Sequence, residues 1–396
     1  MTTRTFDPVL ELQKLRDHLS SHDKPLAFLF GAGTSCSVQA IGGKPLIPAV
    51  EALTERCAET VDAMGPPFPE AWDLIADSLP SGRRDVEEML SSIRRKLEAV
   101  LDSDTSAGLD RGQIEQLESK VKATIAAEVI PHEARFPEHL PHEALGRWLH
   151  SVQREVPVEI FSLNYDTLLE RGFEAEWVPY FDGFIGAYQP FFSPASLIRN
   201  DMLPGRRWTR LYKLHGSVTW SQSGTGDQRR VIRGPEQPTG EMILPSLRKY
   251  EESRKQPYVA MLDRLRGVLN ERDDIVLITA GYSFADQHVN EIIFEALESN
   301  PGLHVFALCF LDLPDDGILL TTARSQRKLI VFTPSRAFIG SQEGTWKVTD
   351  PKASAARLAD VFALDGGTGP GGKLTLGDFN SLCQLLDALA KQSRDG

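Results

Sequence analysis

Apolar residues recur with two different periods along this chain, and the two periods divide it into regions. Short apolar runs predict buried strands at 26–30, 156–161, 210–214, 241–244, 275–279, 304–310 and 328–332. Between the later runs, apolar residues three or four positions apart predict helices at 256–269 and 289–297. Alternating strands and helices are typical of the α/β class, here a doubly wound, Rossmann-like parallel sheet.

The segment between the first two predicted strands has helical spacing only. Four stretches follow this period, at Val50–Met64, Val86–Val100, Ile114–Val129 and Leu145–Val152. An ordinary crossover between parallel strands needs one helix. We therefore predict an inserted helical subdomain over 48–154, within a sheet domain built from 1–47 and 155–350.

Further helices are predicted near both ends of the chain. Asp7-Pro8 resembles an N-cap followed by proline in the first turn, and helical spacing continues to Leu19. The glycine-rich stretch 366–372 predicts a flexible linker. It leads into a C-terminal helical extension within 351–396, whose apolar face carries Phe379, Leu382, Leu385, Leu386 and Leu389. This last helix either docks on the core or serves a subunit contact.

Composition narrows the class of protein. Of 396 residues, 41% are apolar and 25% are charged, which is typical of a globular chain. No apolar run approaches the roughly 20 residues that span a bilayer, and the N-terminus lacks a signal-peptide core. We therefore expect a cytoplasmic protein without membrane contact. The net charge of -12 argues against strong intrinsic binding to nucleic acid.

Neither the cysteines nor the histidines predict a metal site. The cysteines lie far apart and form no CxxC pair, so we expect packed, reduced thiols and no zinc. Four histidines cluster, but Pro141 interrupts helical spacing between two of them. We predict exposed surface positions for His132, His139, His142 and His150.

The first apolar run ends in the sequence Gly31-Ala32-Gly33-Thr34-Ser35. A strand, a glycine turn and a helix form the arrangement that binds a pyrophosphate through backbone N–H groups. Cys36 replaces the third glycine of the dinucleotide fingerprint, and the absence of a following GK[ST] argues against an ATP-binding P-loop. A tight turn without a ligand explains this stretch equally well.

Three other loops follow apolar runs, and in a doubly wound sheet such loops meet at the carboxyl ends of the strands. The first carries Asn164 and Asp166, which can bind a water or a sugar hydroxyl, or cap the next helix. The second, His215–Ser217, offers an imidazole that exchanges a proton near neutral pH, although lone histidines are more often packed or exposed. The third, Gly281–Phe284, can approach a phosphate or ribose, and Asp286 beyond it can cap a helix.

Taken in order, these four motifs resemble the sirtuin family, and most closely the bacterial sirtuin-like proteins of anti-phage defence. The chain reads GAGTS, SLNYDTLLE, KLHGSVTW and GYSFADQHVN, and the resemblance extends over roughly residues 24–310. Protein-deacylating sirtuins carry four zinc-binding cysteines in CxxC-like pairs, and usually a glutamine where this chain has Leu163. Both are missing here, whereas the defence-type relatives generally lack the zinc module and hydrolyse NAD⁺.

The resemblance implies a site in which NAD⁺ is a substrate rather than a redox carrier. Asn164 would orient the nicotinamide ribose or the attacking water, and Asp166 would help to form the nicotinamide pocket. His215 would act as the general base. The pyrophosphate and the adenosine side would contact two sets of residues, namely Gly31, Ala32, Gly33, Thr34 and Ser35, and Gly281, Tyr282 and Ser283.

The implied reaction is hydrolysis of NAD⁺ to nicotinamide and ADP-ribose, which depletes NAD⁺ in anti-phage defence by abortive infection. Because an unregulated enzyme of this kind would drain its own cell, the resemblance also implies control by assembly. The protein would act as a homo-oligomer or with a partner ATPase or nucleic-acid-sensing subunit. Two other functions stay open: an NAD-dependent protein deacylase, and a catalytically silent nucleotide-binding subunit.

Overall fold

The computed structural model describes residues 4–79, 84–101, 104–199, 201–224, 230–237, 257–352, 358, 360–367 and 369–395. The helices are α1 Pro8–Ser20, α2 Gly33–Cys36, α3 Val50–Asp62, α4 Phe68–Asp77, α5 Val86–Ala99, α6 Arg111–Val129, α7 Pro141–Ser151, α8 Leu168–Ala175, α9 Ala195–Ile198, α10 Tyr258–Glu271, α11 Gln287–Ser299, α12 Ile318–Ser325 and α13 Phe379–Asp395. The strands are β1 Thr5–Phe6, β2 Leu26–Phe30, β3 Glu159–Ser162, β4 Tyr180–Phe181, β5 Phe184–Ile185, β6 Phe191–Phe192, β7 Thr209–Lys213, β8 Trp220–Ser223, β9 Arg230–Arg233, β10 Val276–Ala280, β11 His304–Leu308, β12 Leu329–Phe332, β13 Arg336–Ile339, β14 Gln342–Trp346, β15 Phe362–Leu364 and β16 Gly372–Leu374.

A ten-stranded sheet forms the centre of the fold, in the order β1-β14-β13-β12-β11-β10-β2-β3-β7-β4. The strands from β12 to β4 in this order are parallel to one another. At the other side, β13 is antiparallel to both of its neighbours, β12 and β14. β2 and β10 are buried at every position, as expected for central parallel strands covered on both faces. The predicted α/β class, with a mostly parallel Rossmann-like sheet, is confirmed.

Side chains of the central strands alternate between two hydrophobic clusters, one on each face of the sheet. Phe28 and Phe30 contribute to a cluster that also contains α1, α7 and α13. Ala27 and Leu29 contribute to the other cluster, which contains α10, α11 and α12. This alternation follows from the two-residue period of a strand. The polar residues of the loops lie beyond the ends of the strands.

Helices α3 to α6 have a hydrophobic cluster of their own, beside the carboxyl ends of β3 and β7. The cluster reaches the sheet domain through Tyr165, Leu168 and Val218, which follow those two strands. The fourth predicted helix of the insertion, α7, packs elsewhere, because its fully buried Trp148 contacts Phe28 of the sheet with ring centroids 5.8 Å apart. The predicted boundary at residue 154, between the helical insertion and the sheet domain, stays a prediction.

Helix α4 was not predicted from the sequence, and Pro69 lies in its first turn, where proline is tolerated. Strands β8 and β9 pair antiparallel with each other, with Ser221 opposite Ile232. The predicted strand at 241–244 lies outside the described residues.

The prediction that all four clustered histidines are exposed is wrong for His142. Its side chain is fully buried, and its ring lies 4.8 Å from that of Phe379, centroid to centroid. Burial lowers the pKa of His142 to about 4, so the ring is neutral at physiological pH. The error arose because Pro141 begins α7 rather than breaking a helix, so His142 lies in the first turn and faces inward.

The flexible linker predicted at 366–372 stays a prediction, and strands on both sides of it pair with each other. Strands β15 and β16 flank this stretch and pair antiparallel, with Leu364 opposite Gly372. Gly366 has a φ of +57°, and the N–H of Val348 donates to the carbonyl of Pro370 at 2.6 Å. The glycines here allow a tight connection between paired strands.

The last helix, α13, docks on the core, one of its two predicted roles. Its apolar residues pack against α7, and Arg147 of α7 donates from Nε to Asp387 Oδ1 at 2.7 Å. Asn380 donates from Nδ2 to the carbonyl of Ser37 at 3.1 Å, directly after α2. A segment near the end of the chain therefore supports the glycine loop near its beginning.

Leu386→Ala is expected to lower the free energy of unfolding by about 2–5 kcal/mol, because Leu386 is fully buried and its truncation leaves a cavity. Gln384→Ala, on the exposed side of the same helix, is the matched control and is expected to change stability by less than about 0.5 kcal/mol. Urea denaturation followed by circular dichroism measures both. Equal stability of the two variants would show that α13 is not part of the cooperative core.

Candidate functional site

The four predicted loops lie side by side at one edge of the sheet. Their strands are parallel neighbours in the order β10-β2-β3-β7, so all four loops leave the carboxyl ends together. The N–H of Gly31 donates to the carbonyl of Ala280 at 3.1 Å. The N–H of Leu214 donates to the carbonyl of Ser162 at 2.7 Å. The structure therefore brings together all the loops that carry predicted site residues.

Asn164 and Asp166 are joined to the first loop by a chain of buried hydrogen bonds. Asn164 Nδ2 donates to Ser35 Oγ at 2.8 Å and to Thr34 Oγ1 at 3.0 Å. Ser35 Oγ donates in turn to Asp166 Oδ2 at 2.7 Å. Each of these four side chains is at most 8% exposed, so the bonds fix their orientations in a water-poor environment.

The carboxylate of Asp166 has a different partner on each oxygen, and its predicted contact with a ligand stays a prediction. Oδ2 accepts from Ser35, while Oδ1 accepts from the N–H of Leu168 at 3.0 Å, at the start of α8. Lys213, which is 3% exposed, donates from Nζ to the backbone carbonyl of Asp166 and lies 3.3 Å from Glu170. The sequence analysis gave Lys213 no role, although it stands two residues before His215 in the KLHGS motif. This buried ammonium group holds the backbone of the loop.

The glycines of the first loop pack against the backbone of the fourth. The N–H of Gly33 donates to the carbonyl of Gly281 at 3.0 Å, and a Cβ at Gly31 would lie 2.5 Å from the same oxygen. The N–H groups of Thr34 and Ser35 also donate within the loop, each at 3.0 Å. These contacts favour the tight-turn interpretation of the glycines, and pyrophosphate binding by this loop stays a prediction.

The predicted residues of the fourth loop differ in exposure. Tyr282 is buried, and its hydroxyl donates to Asn290 Oδ1 at 2.7 Å. Ser283 is exposed to solvent. Of the two, Ser283 is the residue whose hydroxyl is accessible to a ligand, while Tyr282 holds the loop to α11.

His215 lies in the loop after β7, next to the loop that carries Asn164 and Asp166, and is 2% exposed. Its Nε2 atom lies 2.9 Å from Asp286 Oδ2, and its ring centroid lies 6.2 Å from that of Tyr165. Gly216, with a φ of +93°, turns the chain directly after it, a conformation that favours glycine. The imidazole is therefore held between the loop after β3, which carries Tyr165, and the loop after β10, which leads to Asp286.

Asp286 is a candidate functional residue to which the sequence analysis assigned only helix capping. The cap is present, because Oδ1 accepts from the N–H groups of His288 at 2.8 Å and Val289 at 3.1 Å. Burial alone would raise the pKa of Asp286, but the contact with His215 and the two backbone donors outweigh it and lower the pKa to about 2. No sequence pattern reveals this pair, because 71 positions separate its members.

A small cavity separates the Asn164–Asp166 loop from the helical insertion. Its volume is about 60 Å³, and Ser35, Asn164 and Asp166 form its polar wall, while side chains of α3, α5 and α6 form its apolar wall. This is room for about two water molecules, whereas small-molecule pockets usually measure about 300–1,000 Å³. A dinucleotide does not fit within this volume.

In the described parts of the chain, no group of three or more His, Cys, Asp or Glu side chains is arranged to hold a metal ion. Nor does any helix in those ranges combine the length and apolar character needed to cross a membrane.

Gly281→Ala is expected to destabilise the protein by at least about 2 kcal/mol more than Gly340→Ala does. The two glycines share nearly the same backbone conformation, with φ of +62° and +61°, so the conformational penalty is matched. A Cβ at Gly281 would lie 2.4 Å from Thr34 N, whereas one at Gly340 meets nothing within 4 Å. Chemical denaturation of both variants checks this, and equal losses would contradict tight packing between the two loops.

Comparison with known proteins follows this geometry. Residues 158–329 match the family model described as the SIR2-like domain. No curated protein matches the chain. The matched range includes Asn164, Asp166, His215 and Asp286, and it begins after the glycine loop. It supports a sirtuin-like relationship, and SIR2-like domains typically act with NAD⁺, so this range of the chain is similar to a class of NAD-dependent domains.

Proposed function

We propose that this protein hydrolyses the bond between nicotinamide and ribose in NAD⁺, releasing nicotinamide and ADP-ribose. The observation that carries the proposal is the buried chain of Asn164, Ser35 and Asp166 at the carboxyl edge of the sheet. A fixed amide, hydroxyl and carboxylate beside an apolar wall suit a ribose and the carboxamide of a flat base. The similarity of residues 158–329 to SIR2-like domains supports NAD⁺ as the substrate.

The reaction needs positioning more than strong acid catalysis. When the C–N bond breaks, its electron pair passes to the pyridinium nitrogen, so nicotinamide leaves as a neutral molecule. The ribose becomes oxocarbenium-like, and a water oxygen then bonds to its anomeric carbon. Asn164 would orient that water or the ribose, since its amide is already fixed by two hydroxyl groups.

Two further residues complete the proposed roles. Asp166 would form part of the nicotinamide pocket, where its carboxylate can accept from the carboxamide. His215 would accept the proton that the ribose hydroxyl or the water loses. The loops at 31–35 and 281–283 would flank the pyrophosphate and the adenosine.

The small cavity supports control of this activity by assembly. A cavity of about 60 Å³ does not admit a dinucleotide, and the helices that close it form a hydrophobic cluster of their own. A homo-oligomer, or a partner ATPase or nucleic-acid-sensing subunit, could hold these helices in an open position. NAD⁺ depletion would then begin only on activation, as anti-phage defence requires.

A second candidate is a catalytically silent nucleotide-binding subunit. The backbone N–H groups of Gly31, Gly33, Thr34 and Ser35 all donate within the protein, so a nucleotide bound here would be held mainly by side chains such as Asn164 and Asp166. Saturable binding of NAD⁺ or ADP-ribose, without nicotinamide release in the isolated chain or in infected cells, would favour this second function. Nicotinamide release that strictly requires an acyl-lysine peptide would instead indicate a deacylase.

Asn164→Ala and His215→Ala are each expected to lower nicotinamide release by about 10²–10⁴-fold while the protein stays folded. The physical reason is loss of the fixed amide or of the proton acceptor. Release is measured chromatographically with purified full-length protein and NAD⁺, and intracellular NAD⁺ is measured in phage-infected bacteria that produce each variant.

Asn300→Ala is the matched control, because Asn300 is also about 5% exposed but lies after α11, at the amino edge of the sheet. It is expected to lower stability without lowering turnover per folded molecule. Full turnover by both the Asn164 and the His215 variants would remove these residues from the mechanism.

A further inference from the structure

We propose that Asp286 is a positioning residue that fixes the orientation and the tautomer of His215. The catalytic consequence rests on the proposed function, whereas the tautomer does not and can be tested without any turnover. The observation behind the proposal is a carboxylate whose two oxygens have different partners: backbone donors of α11 on one, and the imidazole of His215 on the other.

The carboxylate of Asp286 is held rigidly before it meets the imidazole. Its Oδ1 atom accepts from two backbone N–H groups at the start of α11. Its backbone carbonyl lies 3.2 Å from the hydroxyl oxygen of Tyr282, whose single hydrogen is donated to Asn290 Oδ1. Asn290 Nδ2 donates back to the carbonyl of Phe284 at 2.7 Å. Oδ2 is therefore presented toward His215 from a fixed backbone.

The backbone that carries the imidazole of His215 is also fixed, by its bond to the neighbouring strand. His215 follows β7 after one residue, and the loop it occupies is bonded to the neighbouring strand through Leu214 and Ser162. Strands β2 and β3 lie between β7 and β10, so the contact of His215 with Asp286 spans the carboxyl ends of both. The pair thus links the two outer loops of the site across the two inner ones.

This contact determines which ring nitrogen carries the proton. A carboxylate only accepts hydrogen bonds, so Nε2 must bear the hydrogen, and the lone pair of the neutral ring is then on Nδ1. The pKa of about 2 keeps Asp286 ionised over the whole range in which a histidine titrates. A base whose second nitrogen donates to a fixed carboxylate has the arrangement found in catalytic triads.

In the proposed reaction, His215 and Asp286 would therefore have different roles. Nδ1 of His215 takes the proton from the ribose hydroxyl or the water, and the ring becomes an imidazolium. Asp286 stays ionised and stabilises that positive charge through Nε2. The proton returns to solvent from Nδ1 after the products leave, so no other reactant is needed.

One substitution separates this role from helix capping. Asparagine caps a helix about as well as aspartate, so Asp286→Asn keeps the bonds to the N–H groups of α11 through its amide oxygen. The amide nitrogen then faces His215 Nε2 as a donor, which favours the other tautomer, with hydrogen on Nδ1. Asp110→Asn is the matched control, because Asp110 caps α6 by accepting from Gln113 N at 2.8 Å and lies outside the site.

The first measurement is ¹⁵N nuclear magnetic resonance of the histidine rings in the full-length chain, at a pH where the His215 ring is neutral. His215→Gln assigns the signal. We expect hydrogen on Nε2 in the wild type and in Asp110→Asn, and hydrogen on Nδ1 in Asp286→Asn. Hydrogen on Nδ1 in the wild type, or no difference between the wild type and Asp286→Asn, would overturn the proposal.

The second measurement separates kcat from KM for NAD⁺. We expect Asp286→Asn to lower kcat by about 10²–10⁴-fold with KM changed by less than about threefold, because the lost interaction acts only as the proton moves. Asp110→Asn should retain the wild-type kcat. An Asp286→Asn variant with wild-type kcat would overturn the catalytic consequence. If wild-type protein released no nicotinamide at all, the proposed hydrolase function would fail, and the tautomer experiment would still decide the role of Asp286.

Discussion

The candidate site depends on a contact between two stretches of backbone. The loop after β2 and the loop after β10 approach so closely that a Cβ at Gly31, Gly33 or Gly281 would overlap the opposite chain. This contact places Thr34 and Ser35 within hydrogen-bond distance of Asn164, in the loop after β3. The parallel pairing of β2 with β10 and β3 therefore sets the geometry of the polar network. The side chains of the network are positioned by a rigid main chain.

The helical insertion is coupled to this network through shared packing. Tyr165 and Leu168, on either side of Asp166, belong to the hydrophobic cluster of α3 to α6. A displacement of these helices would therefore change the packing of the residues on both sides of the Asp166 carboxylate. Because packed interfaces tend to have discrete arrangements, such coupling suits a site that is either closed or open.

The sequence predicted the sheet and the position of the site edge well, because both follow from local patterns. An apolar run such as Leu26–Phe30 ending at glycine needs no distant partner to be recognised. The error at His142 concerns a feature that local patterns leave ambiguous, because Pro141 begins α7 instead of interrupting a helix. The pair of His215 and Asp286 was beyond prediction, since it depends on how two non-adjacent strands place their loops in three dimensions.

The hydrogen bond from Asn380 to the carbonyl of Ser37 joins residues that are 343 positions apart. During synthesis on a ribosome, the glycine loop leaves the exit tunnel long before α13 exists. The support that α13 gives to the residue after α2 can therefore form only once α13 has left the tunnel. The surroundings of the glycine loop are thus completed long after the loop itself has been made.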